Sequence, residues 1–342
     1  MVIPLTVEVK KLKETKGSFT LRGKIEGLKS DYAVREGVTS TDKDYKSLSF
    51  FIQTSPTNRV KVEMFGMERD VIFYNSKAKQ SKRVSFENRN KVNLKGYQLM
   101  GVNINASGKK NDRKVLIEYD AIDYIRENFN DGDTVFVKGQ TDFSEFENQH
   151  GEWINKTSFR ITSIRKEENE IDFNDEDFVP HAFFKQDIVV NELMEEDGKL
   201  FIHAKIIKYK GDLADAVFVV DSERLKKFAK TLKKNLKFGD WINVKGWIIS
   251  ETIEKEEKIE VEEDDDWGGE TPEGMEDHYI KEYINELQIV NVDKDSYEPQ
   301  KYTEADLFTE EEENYGEDPN EEDDEFEDDD DFEEDDDFQF SE

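Results

Sequence analysis

One ten-residue stretch occurs twice, as "DGDTVFVKGQ" over 131–140 and as "FGDWINVKGW" over 238–247. Both copies run Gly-Asp, an alternating strand and then Val-Lys-Gly. Each follows a segment with apolar residues at helical spacing: Ala121, Ile122, Ile125 and Phe129 in the first, Leu225, Phe228, Ala229, Leu232 and Leu236 in the second. The second helix is expected to start at a cap on Asp221 or Ser222 and to end at Gly239. The copies lie a domain length apart, too far for a solenoid unit, so the chain must fold as two similar units in series.

The text around each copy reads as strands. In the first half these are "GSFTLRGKIEGL", "SLSFFIQT" and "RVKVEMFG" before the helix and "WINKTSFRITSI" after the repeat. In the second they are "KLFIHAKIIKYKG", "DAVFVVD" and "YIKEYINELQIVNV". Three strands, a helix and two strands is the order of the five-stranded Greek-key barrel called the OB fold. The expected fold is therefore mainly β: two tandem OB-like barrels, each with one helix before its fourth strand, plus a disordered acidic tail.

Charge divides the chain in the same way. Residues 304–342 hold 24 acids and no base, residues 251–277 hold 14 acids and 2 bases, and residues 167–180 hold 7 acids and no base. Together these outweigh the net charge of −34, so the remainder is net positive, and residues 77–114 alone carry 11 bases against 2 acids. The expected organisation is a first barrel over 1–166 with a basic insertion at 77–114 and an acidic linker at 167–180. A second barrel over 181–303 follows, with an acidic insertion at 251–277, and the tail over 304–342 is disordered by its dense like charge.

Catalysis finds little support. There is no cysteine, and the histidines at 150, 181, 203 and 278 are scattered without ligand spacing. No glycine-rich phosphate loop, nucleophile elbow or zinc-protease motif appears. The expectation is a non-enzyme with no cofactor and no metal site. No signal peptide or membrane span is legible, which points to a cytoplasmic protein without a membrane partner.

Tandem OB-like halves followed by an acidic, phenylalanine-tipped tail resemble the single-stranded-DNA-binding proteins of bacteria and bacteriophages. The tail end "DDDFQFSE" departs from the bacterial tip: it lacks a proline before the last phenylalanine and runs two residues past it. The resemblance implies protection of single-stranded DNA during replication or recombination, in the host cytoplasm if the chain comes from a phage. It also implies that the tail recruits replication or recombination proteins, with Phe332, Phe338 and Phe340 as anchors, and masks the DNA site when DNA is absent.

A sequence-tolerant single-strand binder needs cations along the backbone path and flat rings for the bases. Alternation places Leu48, Phe50 and Ile52 inward, leaving Phe51 outside; Val60, Val62 and Met64 inward leave Arg59, Lys61, Glu63 and Phe65 outside. The fourth strands turn Thr134, Phe136 and Lys138 outward in the first copy and Trp241, Lys245 and Trp247 in the second. Between them, Lys79, Lys82, Arg83, Arg89, Lys91, Lys95 and Tyr97 suit a basic hairpin or arm. Any one of these rings can equally cover a helix end, the linker or the other barrel. Two rival functions fit the same text: a protein–protein adaptor or nucleic-acid mimic that never touches DNA, and an RNA-binding protein on the same barrels.

Overall fold

The repeated Gly-Asp is a turn closed by its own side chain. Gly132 and Gly239 take φ of +88° and +78°, open to glycine at little cost. The carboxylates of Asp133 and Asp240 each accept a 2.9 Å hydrogen bond from the N–H three residues back, of Asn130 and Lys237. The glycine of Val-Lys-Gly has another cause. A Cβ on Gly139 would lie 2.0 Å from the Arg160 carbonyl oxygen, and one on Gly246 1.8 Å from that of Gln288. Both glycines sit at a register shift where the fourth strand meets the fifth.

The computed structural model describes residues 12–109, 111–147, 151, 153–258 and 277–307, with the main chain alone at 147, 253–258 and 277–282. The chain is mainly β. It runs β1 (Gly17–Glu26), β2 (Val34–Val38), β3 (Asp44–Gln53), β4 (Arg59–Met67), β5 (Val71–Asn75), β6 (Gln80–Val84), β7 (Gln98–Leu99), β8 (Val102–Asn105), β9 (Lys114–Leu116) and α1 (Glu118–Asn128). It continues through β10 (Thr134–Glu147), β11 (Trp153–Lys166), β12 (His181–Glu196), β13 (Lys199–Ile207), β14 (Leu213–Asp221), α2 (Lys226–Asn235), β15 (Trp241–Lys258), β16 (Asp277–Glu298) and the short α3 (Glu304–Leu307).

Two closed circuits of five strands emerge. In the first, β1 pairs β10, β10 pairs β11, β11 meets β4 in parallel, β4 pairs β3, and β3 returns to β1. In the second, β12 pairs β15, β15 pairs β16, β16 meets β14 in parallel, β14 pairs β13, and β13 returns to β12. A parallel contact between third and fifth strands inside an otherwise antiparallel circuit is the OB arrangement. β12, the first strand of the second barrel, is absent from the sequence reading. Its inward residues do alternate (Ala182, Phe184, Gln186, Ile188, Val190), but the buried polar Gln186 in the middle breaks the apolar signal.

The barrels are joined strand to strand. β1 pairs β12 antiparallel from Gly17 opposite Gln186 to Arg22 opposite His181. Phe19 and Phe184 face each other across this seam, and each also stands opposite the repeat glycine of its own barrel, Gly139 or Gly246. The pair therefore occupies equivalent positions in the two copies, which relates the barrels by an approximate twofold. One apolar cluster runs through both interiors, with Phe19, Phe50, Phe129 and Phe218 almost wholly buried; each such ring contributes roughly 2–3 kcal/mol of transfer free energy.

Three local expectations change. α2 begins at Lys226 because Asp221 ends β14 and its carboxylate accepts the Arg224 N–H (2.9 Å), holding residues 222–225 in a turn. Thr134, read as outward, is buried because the segment after β11 folds over it: Glu167 N–H reaches its carbonyl and Ile171 N–H its hydroxyl (2.8 and 3.1 Å). Residues 251–258 and 277 of the acidic insertion prolong β15 and β16 as hairpin arms, while 259–276 lie outside the described residues. Each barrel's last hairpin leans on its neighbour: Phe143 of β10 packs near Phe218 (6.1 Å), and β15 rests on the β3–β4 turn.

That second contact centres on Asn58, 5% exposed. Its amide donates to the Ile248 carbonyl and the Thr54 hydroxyl (2.9 Å each) and accepts the Ser250 N–H (2.6 Å). Asn58→Ala strands the Ser250 donor and is expected to cost about 2–3 kcal/mol. Urea unfolding of the variant checks this; an unchanged midpoint would show that the hairpin does not rest on this turn.

Candidate nucleic-acid interface

The outer face of β3 and β4 carries rings among polar residues. Phe51 and Phe65 are 41% and 51% exposed, while Leu48, Phe50, Ile52, Val60, Val62 and Met64 are buried on the inner face. Register puts Phe51 opposite Lys61, which is exposed, and Phe65 opposite Ser47. Phe65 stacks on Tyr45, ring centroids 5.5 Å apart and planes 28° apart. Tyr45 escaped sequence reading, although it shares the alternation that singled out Phe51. Arg59 is tied to Glu26 of β1, and Glu63 to Lys156 of β11 (3.3 Å).

The basic segment 77–114 does not form a free arm throughout. β6, β5 and β7 make a small sheet whose apolar side (Val71, Phe73, Val84, Phe86, Leu94, Tyr97, Leu99) packs with Ile117 and Tyr119 at the start of α1. Lys79, Lys82 and Arg83 lie exposed on the β5–β6 hairpin, and Lys91 and Lys95 on the loop beyond it. The Lys82 ammonium sits 4.6 Å from the Tyr97 ring centre. Arg89 is committed elsewhere: it grips Asp120 with two nitrogens (2.8 and 2.9 Å), donates to the Phe86 carbonyl and lies 3.6 Å over the Phe86 ring. That bidentate pair fastens the small sheet to α1, so Arg89 is a structural clamp rather than a free cation.

Trp241 also departs from expectation. It is 3% exposed, packed with Val189, Ile207, Tyr302 and Leu307, and the Lys301 ammonium lies 4.0 Å from its ring centre. The segment after β16 folds back over the start of β15 and hides its outer face. The neighbouring Asn243 is hidden too, its N–H bound to the Ser296 hydroxyl (2.8 Å).

Further along the fourth strands the outer face stays partly open, and β12 joins the two sides. Ring centroids run Phe136 to His181 (5.4 Å), His181 to Phe183 (4.5 Å) and Phe183 to Trp247 (4.2 Å). The Arg165 guanidinium and Lys138 ammonium stand 5.2 and 5.7 Å from the Phe136 ring centre. Lys185 of β12 faces Lys245 of β15. Sequence reasoning found Phe136, Lys138, Lys245 and Trp247 but not His181, Phe183 or Lys185, which lie on the unread strand. The tail residues Phe332, Phe338 and Phe340 lie outside the described residues.

Burial first, then the Arg22 charge, holds the His181 imidazole down to about 4, against an opposing pull from Glu167. The ring is therefore neutral at pH 7, bonded through Nε2 to the Thr20 hydroxyl (2.9 Å). Among the described residues no helix is long and apolar enough to cross a membrane, and no cluster of three His, Asp or Glu is placed to hold a metal.

The sequence model of the family described as YorF matches residues 24–330. Two solved structures of the single-stranded DNA binding protein from Thermus aquaticus are similar at a low level. The wild-type protein is 10% identical with a TM-score of 0.38, covering 86% of this chain and 99% of that one. A deletion mutant is 9% identical with a TM-score of 0.37, covering 82% and 95%. No curated protein matches the sequence.

His181 sets a pH dependence. An unfolded histidine takes up its proton near 6.5, but the folded ring does so only near 4. As pH falls through that window the unfolded state binds more protons, so stability falls with it. His181→Gln removes this component, and its urea midpoint should drop less steeply than the parent's between about pH 6.5 and 4. Identical slopes would mean the imidazole titrates normally.

Proposed function

The chain belongs to the YorF family, and from the outer face of its first barrel we propose that it binds and protects single-stranded DNA without catalysing a reaction. The observation that carries this reading is the pair of exposed rings, Phe51 and Phe65, on the β3–β4 face of a closed barrel beside the exposed Lys61. Two exposed rings beside a cation on one strand face suit single-stranded nucleic acid, whose bases stack on rings whatever their identity while a phosphate meets the cation. The cations Lys79, Lys82, Arg83, Lys91 and Lys95 extend the positive surface along the β5–β6 hairpin and its loop. The adaptor and mimic readings leave this combination of rings and cations unexplained.

The barrels serve in this reading as two domains, 1–166 and 181–303, bridged by 167–180. The acidic segment 304–342 competes with DNA for the basic face and recruits replication or recombination proteins through its phenylalanines, as expected of a phage or bacterial protein acting in the cytoplasm.

Replacing Phe51, Phe65 and Lys61 together with alanine tests the assignment. Two lost stacking contacts at about 1–3 kcal/mol each should weaken binding of a labelled thymine oligonucleotide by roughly thirty-fold or more. One lost phosphate contact should lower the log–log salt slope by about 0.7. Fluorescence anisotropy across a salt series reads both, with a matched RNA oligonucleotide as competitor. Unchanged affinity in the variant would place the site elsewhere, and no binding by the parent would leave the adaptor reading in front.

A further inference from the structure

We propose that the seam between the barrels carries a second single-strand-binding surface, built jointly by β10, β1, β12 and β15. This rests on the single-strand reading above and extends it to both barrels. Register across the four strands sets Lys138, Thr20, Phe183 and Trp247 in one row. Phe136, Arg22 and His181 lie in the row on one side, and Ser18, Lys185 and Lys245 in the row on the other. Strands spaced about 4.8 Å apart make the four-strand middle row about 14 Å long and the three-strand rows about 10 Å. Rings from two adjacent rows, Phe136 and His181 in one and Phe183 and Trp247 in the next, thus share one patch, with Lys138 at an end of the middle row and Arg165, Lys185 and Lys245 beside it.

The plainer role for these rings is to glue the barrels together. The inner faces of the same strands already do that: Phe19, Leu21, Ala182 and Phe184 are 0–2% exposed, whereas Phe136, Phe183 and Trp247 are only half-buried and Lys138 and Lys185 are exposed. An adhesive patch has no use for cations gathered round it, but a polyanion with flat bases does. The acid that intrudes, Glu167, is held by Arg22 (2.6 Å) and Arg165 (3.5 Å).

β1 links this surface to the first one. Its N-terminal half pairs β12, and its C-terminal half pairs β3, with Lys24 opposite Gln53 and Glu26 opposite Phe51. Between the two faces lies the row of Lys24 and Thr134, covered by the acidic segment after β11, with the Lys24 ammonium 5.3 Å from the Phe173 ring centre. A strand lying on Phe51 and Lys61 therefore reaches Phe183 and Trp247 by displacing or skirting that segment. A short oligonucleotide needs only the first face; a long one uses both.

The test compares thymine oligonucleotides of about 8 and about 32 nucleotides, chosen against the roughly 4–16 nucleotides that one OB barrel occupies. In the full chain, Lys138→Glu, Lys185→Glu and Lys245→Glu together should weaken the long oligonucleotide about ten-fold and lower its salt slope by about 2, leaving the short one unchanged. The charge changes leave the rings in place, and a thermal melt confirms folding. In parallel, the long oligonucleotide should quench tryptophan fluorescence more than the short one, and Trp247→Phe should abolish that excess. Equal behaviour at both lengths, or a triple variant indistinguishable from the parent, overturns the seam surface while the first-barrel site stands or falls on its own alanine variant. A parent that binds neither length overturns both.

Discussion

The pairing of β1 with β12 is the contact on which the rest of the molecule hangs. It turns two barrels into one continuous sheet, sets Phe19 against Phe184 at the centre, and lets a single apolar core run through both units. A side chain at its end would displace a buried amide: a Cβ on Gly17 would lie 1.7 Å from the Gln186 side-chain oxygen and 2.0 Å from the Thr141 hydroxyl. Gln186 is in turn satisfied by the Thr141 hydroxyl and the Asp187 carbonyl, so a buried amide is kept without an orphaned group. Paired edges also remove two strands that would otherwise invite aggregation.

That constraint shapes the candidate interface as well. Once β1 and β12 lie side by side, their outward residues stand in common rows with those of β10 and β15, and rings far apart in sequence come within 6 Å of one another. The second barrel does not reproduce the β3–β4 face of the first. On β13 and β14, Lys205 pairs with Asp215 (2.8 Å) and Lys199 with Glu286 of β16 (2.5 Å), which neutralises the cations there. Exposed or half-buried rings with cations beside them are therefore found on the β3–β4 face of the first barrel and along the seam rather than on β13 and β14.

Much of this was legible in the residues. The repeated Gly-Asp and Val-Lys-Gly fixed the turn and the crowded bulge of each fourth strand, and period-two alternation correctly sorted Leu48, Phe50, Ile52, Val60, Val62 and Met64 from Phe51, Lys61 and Phe65. Trp241 was misread because alternation says only which side of a strand a ring is on. What covers that side is a segment some sixty residues later, carrying Tyr302 and Leu307. Arg89 was misread likewise: its partner Asp120 belongs to a helix beyond the loop, and charge pattern alone does not reveal such a pair.

By itself, then, the sequence determined two similar barrels, their helices, most of their inward faces and part of the outward list from which a binding surface is drawn. These follow from backbone geometry, where side chains alternate along a strand and glycine suits a positive φ, as at Gly132 and Gly239, or a place where another strand crowds in, as at Gly139 and Gly246. Tertiary structure alone decided which outward rings stay open, which cations are already paired, and that β12 brings Phe183 and Lys185 between the two fourth strands. Those outcomes depend on non-local strand pairing and on what folds back over a face, and neither leaves a periodic trace along the chain.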